Sequence, residues 1–297
     1  MEKSMSKRKR TDNAWGYFFI APSVILILIL NIFPVIQTFV FSLQKIDGFL
    51  PPVWNGLSNY RVLFSKPEFT KALLNTFIYT LVTVPVGVML SLLAAVLMNT
   101  GIRMKGLFRF CYFLPVISAP AAISMVWRWM YNSDYGIINS FLTAIGIKGP
   151  NWIGSSKYVL GSVMVVGIWS TVGYNMVLLL AGLQQIPSIY YEAAEIDGAS
   201  RFDRFWKITV PLVSPTMFFV VVMTIISSLQ VFDNIYMMVP STSPSIKSAQ
   251  SIVYLFYKYT FAQQNKGLGS AVAMVLLGIV LIITAVQMKA QKKWVNY

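Results

Sequence analysis

Residues Ile186 to Pro215 read IPSIYYEAAEIDGASRFDRFWKITVPLVSP, and their reading decides the fold of the chain. The stretch carries seven charges (Glu192, Glu195, Asp197, Arg201, Asp203, Arg204 and Lys207) between two long uncharged segments. Its punctuation predicts two short helices. Ser188 caps the first, which runs to about Asp197, and Gly198 stops it because glycine tolerates the left-handed conformation that closes a helix. Ser200 opens the second, with Asp203 three residues on completing a capping box. Pro211 ends it and turns the chain back into an apolar segment. Ala193 and Ala194 sit beside Glu192 and leave the backbone open to close approach by another surface. Phe202, Phe205 and Trp206, at i, i+3 and i+4, form a stripe that wants burial. The plainer alternative is a membrane-surface loop whose aromatics dip into the headgroups.

Outward from this loop, composition names the class. The chain has 297 residues, 56% hydrophobic and 11% charged, whereas soluble domains carry about a quarter charged residues. The net charge of +14 does not point to nucleic acid, because the basic residues flank apolar runs instead of clustering with stacking aromatics. One cysteine, Cys111, excludes an intrachain disulfide, and the absence of histidine removes His-based metal sites and a His general base. No metal site and no catalytic residue is assigned. The basic start MEKSMSKRKR precedes an apolar run too long for a signal-peptide core and reads as a retained tail.

Six stretches lack Asp, Glu, Lys and Arg: 13–44, 72–102, 110–127, 158–191, 208–232 and 267–288. Each approaches or exceeds the roughly 20 residues that cross a bilayer core. The expected fold is an all-α membrane protein with six transmembrane helices over 15–288, a basic tail 1–14 and a tail 289–297. Fourteen of the 24 Lys and Arg residues fall in the tails, the 103–109 connection and the 186–215 loop. This bias places these segments, and both termini, in the cytoplasm. In the outer loops, the apolar run INSFLTAIGI is too short to span and reads as a surface helix, and STSPS reads as a loop. Pro34, Pro85, Pro115, Pro120 and Gly173 lie at membrane depth as helix breakers.

Two polar clusters interrupt the apolar runs. The fourth carries Trp169, Ser170, Thr171, Tyr174 and Asn175; the fifth carries Ser227, Ser228, Gln230, Asp233 and Asn234, with Phe232 and Tyr236 interleaved. Polar groups in a membrane face a bundle interior or a cavity. Aromatic faces beside amides and hydroxyls suit sugars, which offer C–H faces and hydroxyls that donate and accept. The bland alternative for any one residue is interhelical glue.

The string Glu192-Ala193-Ala194, then Gly198, then Ile208 and Pro211, resembles the EAA loop of ABC-transporter importer permeases: EAA, three residues, Gly, nine residues, Ile-x-Leu-Pro. Val210 stands where Leu is usual. The segments NYRVLFSKPEFTKALLNT, FLPVISAPAAISMVWRWMYN and GIWSTVGYNMVLLLAGLQQIPSIYYEAAEIDGAS look like the carbohydrate-type branch of that family. The resemblance implies one half of a heterodimeric pore in a bacterial inner or plasma membrane, beside a second, related permease. It further implies two ATPase subunits that grip the EAA loops, and an extracytoplasmic solute-binding protein that delivers a sugar. Coupling would fall to Glu192, Ala193, Ala194, Asp197, Gly198, Phe202, Phe205 and Pro211. In the maltose-type relative, solute contacts lie on the spans flanking the loop; the matching positions here include Ser170, Thr171, Tyr174, Ser227 and Asn234. Hydroxyls that the relative uses in the preceding span are replaced by Val116 and Pro120. The chain lacks a G-x-x-x-x-G-K-[ST] loop, so it is not expected to be an enzyme, and ATP and Mg would bind on the partner ATPase. Rival readings are a permease for another polar solute such as glycerol phosphate, and a secondary carrier or channel.

Overall fold

The computed structural model describes residues 2–46, 48, 51–100 and 104–294. Met1, Arg103 and Tyr297, which entered the tail and charge readings above, lie outside the described residues. The helices are α1 (Glu2–Ile27), α2 (Phe33–Ser42), α3 (Ser58–Ser65), α4 (Pro67–Asn99), α5 (Lys105–Ile117), α6 (Pro120–Met130), α7 (Ile137–Ala144), α8 (Val159–Gln184), α9 (Ile189–Ile196), α10 (Arg201–Arg204), α11 (Val210–Leu229), α12 (Asp233–Met238), α13 (Ile246–Ala249), α14 (Ile252–Tyr257) and α15 (Lys266–Trp294). The two-residue strands β1 (Gln44–Lys45) and β2 (Val53–Trp54) pair antiparallel, Gln44 opposite Trp54. The fold is otherwise all-α. Among the described residues, five continuous helical stretches are long and apolar enough to span a membrane: Trp15–Ser42, Pro67–Asn99, Val159–Gln184, Arg201–Leu229 and Lys266–Lys292. A sixth arises if α5 and α6, bent by 102° to one another, count as one span.

Internal packing divides the chain into Met1–Leu63 with Lys258–Met274, and Phe64–Tyr257 with Val275–Tyr297. In the first unit, Trp15–Ser42 forms one apolar rod from α1 into α2, and none of the side chains from Trp15 to Phe41 is buried. The end of α2 is tied to α3: Asn59 Nδ2 donates to the carbonyls of Ser42 and Gln44, each at 2.8 Å, and the Ser42 and Tyr60 hydroxyls pair at 2.7 Å. In the second unit, α4 lies along α8, and α11 packs on both. One core cluster gathers Tyr79, Val159, Val163, Val166, Ile235 and Met238; another gathers Val88, Leu92, Met176, Leu179, Val213 and Val220.

Glycine permits one close helix crossing. A Cβ on Gly173 would overlap the Tyr112 carbonyl oxygen, so α5 and α8 approach at backbone distance. Small residues at membrane-helix interfaces permit such contact. Gly173, expected as a helix breaker, is thus a spacer inside the unbroken α8.

The prolines act in three ways. Pro85 and Pro115 sit inside continuous helices. Pro120 breaks its run: Ala119 is extended (φ −61°, ψ 129°), as the residue before proline tends to be, and α6 starts at Pro120. The expected single span over 110–127 is therefore two helices at a sharp angle. Pro34 and Pro211 do something else. Each follows a π-helical turn, Leu28–Ile32 and Phe205–Thr209, in which the residue before the proline donates five residues back: Phe33 to Leu28 and Val210 to Phe205. In an α-helix the proline ring collides with the carbonyl four residues earlier. The wider turn draws that carbonyl clear, so the helix runs on. Pro211 therefore does not end the second loop helix, contrary to the sequence expectation. Arg201–Leu229 is one continuous rod.

Candidate functional site

The loop between α8 and α11 is built by its turn residues. Gly198 adopts φ +73°. The Ala199 amide donates to the Ala194 carbonyl at 2.8 Å and the Gly198 amide to the Glu195 carbonyl at 3.1 Å, the paired bonds of a Schellman turn. Ser200 Oγ accepts from the Asp203 amide at 3.1 Å and donates to the Asp203 carboxylate at 2.5 Å, so the box closes through the hydroxyl and not the Ser200 amide. Ser188 occupies the N-cap of α9 without a side-chain capping bond, because its own backbone is already helical.

Two further ties lock α9 to α10 and the π-turn. Arg204 Nη1 meets Glu195 Oε2 at 3.0 Å. The Tyr191 and Thr209 hydroxyls pair at 3.0 Å while Thr209 Oγ1 donates to the Arg204 carbonyl at 3.3 Å. Glu192, Ala193, Asp197 and Gly198 are exposed, and Ala194 is half-buried. Ile196 is 88% exposed and Phe202 72% exposed, an apolar outer face on a charged loop. The aromatic stripe splits: Phe202 and Trp206 point out, whereas Phe205 packs against the core cluster around Leu92 and Val213. Phe205 and Pro211 thus serve the helix junction, and the outer surface is carried by the other coupling candidates.

At the opposite end of α11 the chain breaks over Gln230–Phe232 before α12 begins. There a cleft of about 240 Å³ opens, lined by Ser170, Thr171, Ser227, Gln230, Asp233 and Asn234 among others. Six of the nine expected path residues thus meet in one recess. Pro115, Pro120 and Ile123, from the α5–α6 bend, supply apolar wall. Ser227, Gln230 and Asp233 are exposed. Asn234 Oδ1 accepts from Ser124 Oγ at 3.4 Å, and Ser228 Oγ pairs with Thr83 Oγ1 at 3.3 Å.

Three expected residues lie elsewhere. Asn175 is buried and donates to Thr224 Oγ1 at 3.0 Å, a bond between α8 and α11. Trp169 packs edge-on against Trp127, with centroids 5.6 Å apart. Tyr174 is exposed one turn further along α8 from Ser170, outside the cleft lining.

Tyr79, a buried residue of α4, was not expected. It lines the cleft together with Asn234 and occupies the space a Cβ on Gly167 would fill. Its signal in the sequence is faint: one tyrosine in a run of apolar and Thr residues. Also unexpected is the extent of an aromatic group on α12 and α14. Phe232 stacks on Tyr236 at 5.1 Å, Tyr236 meets Tyr257 edge-on at 4.9 Å, and the two tyrosine hydroxyls pair at 3.0 Å. That hydrogen bond holds the Tyr257 phenol above its ordinary pKa. A larger cavity, about 720 Å³ beside α4 and α11, is walled by Leu81, Val88, Leu92, Val221, Ile225 and similar residues. It offers almost nothing to bind hydroxyls.

Comparison with known proteins agrees along nearly the whole length. The family model described as "Binding-protein-dependent transport system inner membrane component" matches residues 63–293. The chain is 33% identical to the trehalose/maltose transport system permease protein MalF of Thermococcus litoralis, over 96% of each chain. It is 32% identical to the sn-glycerol-3-phosphate transport system permease protein UgpA of Agrobacterium fabrum, over 95% of this chain and 96% of that one. Its fold matches a chain of a bacterial alginate ABC transporter, solved in complex with an alginate pentasaccharide-bound periplasmic protein, with a TM-score of 0.84, 20% identity and 96% of each chain covered. The loop, the spans and these matches coincide: the chain belongs to the family of binding-protein-dependent transport system inner membrane components.

Proposed function

We propose that the chain forms one half of the membrane pore of an ATP-driven importer of a sugar or oligosaccharide. A second, related permease would complete the pore, two ATPases would hydrolyse ATP with Mg, and an extracytoplasmic binding protein would deliver the solute. The cleft carries the reading: hydroxyls and amides of Ser170, Thr171, Ser227, Gln230 and Asn234 face apolar walls from Pro115, Pro120 and Ile123. That mixture matches a sugar's hydroxyl rim and C–H faces. Names of relatives support a sugar, since one is named for trehalose and maltose. Tyr174 extends the same face of α8 toward the space a partner permease would fill.

The Ile186–Pro215 loop is the coupling element of this scheme. Its Schellman turn, ion pair and hydroxyl pair make α9, α10 and α11 one piece, so displacement of the docked loop tilts α11. The ATPase biases the two pore states only by binding them unequally. ATP-driven closure of the ATPase dimer would favour the outward-open one.

The test is uptake by vesicles containing the chain with its partner subunits, offered neutral mono- and oligosaccharides and, in parallel, glycerol 3-phosphate. ATP-dependent uptake of a neutral sugar is the expected result; uptake of glycerol 3-phosphate alone would overturn the sugar reading. A reporter after Tyr297 should be cytoplasmic and one near Ser243 external; the same side for both would mean that the span count between them is wrong by an odd number.

A further inference from the structure

The cleft has a charge that a neutral-sugar site does not require. Asp233 is exposed and opens α12 at the break after α11. Among the described residues no lysine or arginine lines the cleft, and no cation pairs with the Asp233 carboxylate. Its neighbours in the lining are hydroxyls, amides and apolar walls, none of which cancels a negative charge. The aromatic faces of Phe232 and Tyr236 flank it in sequence, and Phe232 shares the lining.

A carboxylate in a recess with low-dielectric walls acts on every solute that enters. A like charge at contact distance is disfavoured by about fivefold even in bulk water, and by far more as the local dielectric falls. Walls of low dielectric focus that field into the cleft. We propose that Asp233 is the selectivity charge of this cleft: it admits neutral and ammonium-bearing sugars and turns away uronates, sulfonates and phosphates. The proposal rests on reading the cleft as part of the solute path, and it narrows the solute within that reading. The plain alternative is that Asp233 only complements the amides of the first turn of α12.

The experiment reads the field directly. Cys111→Ser removes the native thiol, which is exposed. Ser227→Cys, or Gln230→Cys should the first fail to assemble, then places one thiol in the cleft. The transporter, assembled from this chain and its partner subunits without the binding protein, is treated with trimethylammonium or sulfonate methanethiosulfonate. Normalised to a free thiol, the cationic reagent should react at least about tenfold faster, a preference that shrinks with added salt. Asp233→Asn should bring the ratio close to the free-thiol value, and Asp233→Glu should keep it. A ratio unchanged by Asp233→Asn overturns the filter. Full sugar import after complete modification would instead remove the cleft from the solute path, overturning the reading on which the filter rests.

Discussion

At its loop end α11 is continuous with the chain before it: the turn at Phe205–Thr209 widens, Pro211 is absorbed, and α10 remains in line. At its other end the same helix stops at Leu229, three residues leave helical geometry, and Gln230, Asp233 and Asn234 are set free around a recess. A wide turn keeps a helix continuous through a proline, while a break exposes polar groups that a membrane otherwise forbids. On the proposed reading one helix joins a mechanical end to a chemical end, and the two should fail differently when altered.

The largest expected effect lies at the loop. Ala194→Arg should abolish co-purification of the ATPase and ATP-driven uptake while the chain still inserts. Recovery of the ATPase at normal yield would remove the mechanical half of the contrast. Next comes the break. The pair Gln230→Ala and Asn234→Ala deletes two hydrogen-bonding amides at roughly 1 kcal/mol each, so sugar uptake should fall by about tenfold or more with ATPase capture intact. If capture falls with uptake, the two ends are not separable. Asn175→Ala sharpens the line between path and glue. Losing its bond to Thr224 should cost the extracted protein about 0.6–2 kcal/mol, seen as a lower melting temperature, while sugar selectivity is unchanged; altered selectivity would return Asn175 to the path. Smallest is the Glu195–Arg204 pair. It is partly exposed, and a double-mutant cycle on loop docking should give a coupling of about 0.5 kcal/mol that fades with salt. A coupling several times larger would mean that the ion pair, and not the Schellman turn, rigidifies the loop.

The loop was the most legible part of the chain. Gly198 and Ser200 act on their immediate neighbours, so their turn and cap follow from local residue types alone. The spans were legible because the bilayer imposes absence of charge over a fixed length. Pro211 was misread for an equally physical reason. Rules for proline assume α geometry, and nothing local announces that the preceding turn will widen; the same arrangement at Pro34 shows that the device is used twice in this chain. In the polar clusters, chemistry was legible and aim was not. Asn175 and Ser170 are both polar residues of α8, yet one spends its amide on Thr224 and the other lines the cleft, a distinction set by which helix lies opposite. Tyr79 escaped because its role comes from α12, more than 150 residues away along the chain, meeting it across the bundle.

The widened turn at Phe205–Thr209 also has a genetic meaning. It accommodates one more residue than a plain helical turn, and each residue of an α-helix carries about 100° of rotation. An in-frame loss of a single codon there would let the turn close to plain α geometry and leave α9 and α10 at nearly their present bearing to α11; the cost would fall on Pro211, whose ring would then meet the carbonyl four residues before it. The same loss one turn later, in regular helix, would instead swing α9 and α10, and Phe202 with them, by about 100°. Where a codon is lost relative to the wide turn therefore decides which way the loop faces, a kind of change that a comparison of substitutions alone would never score.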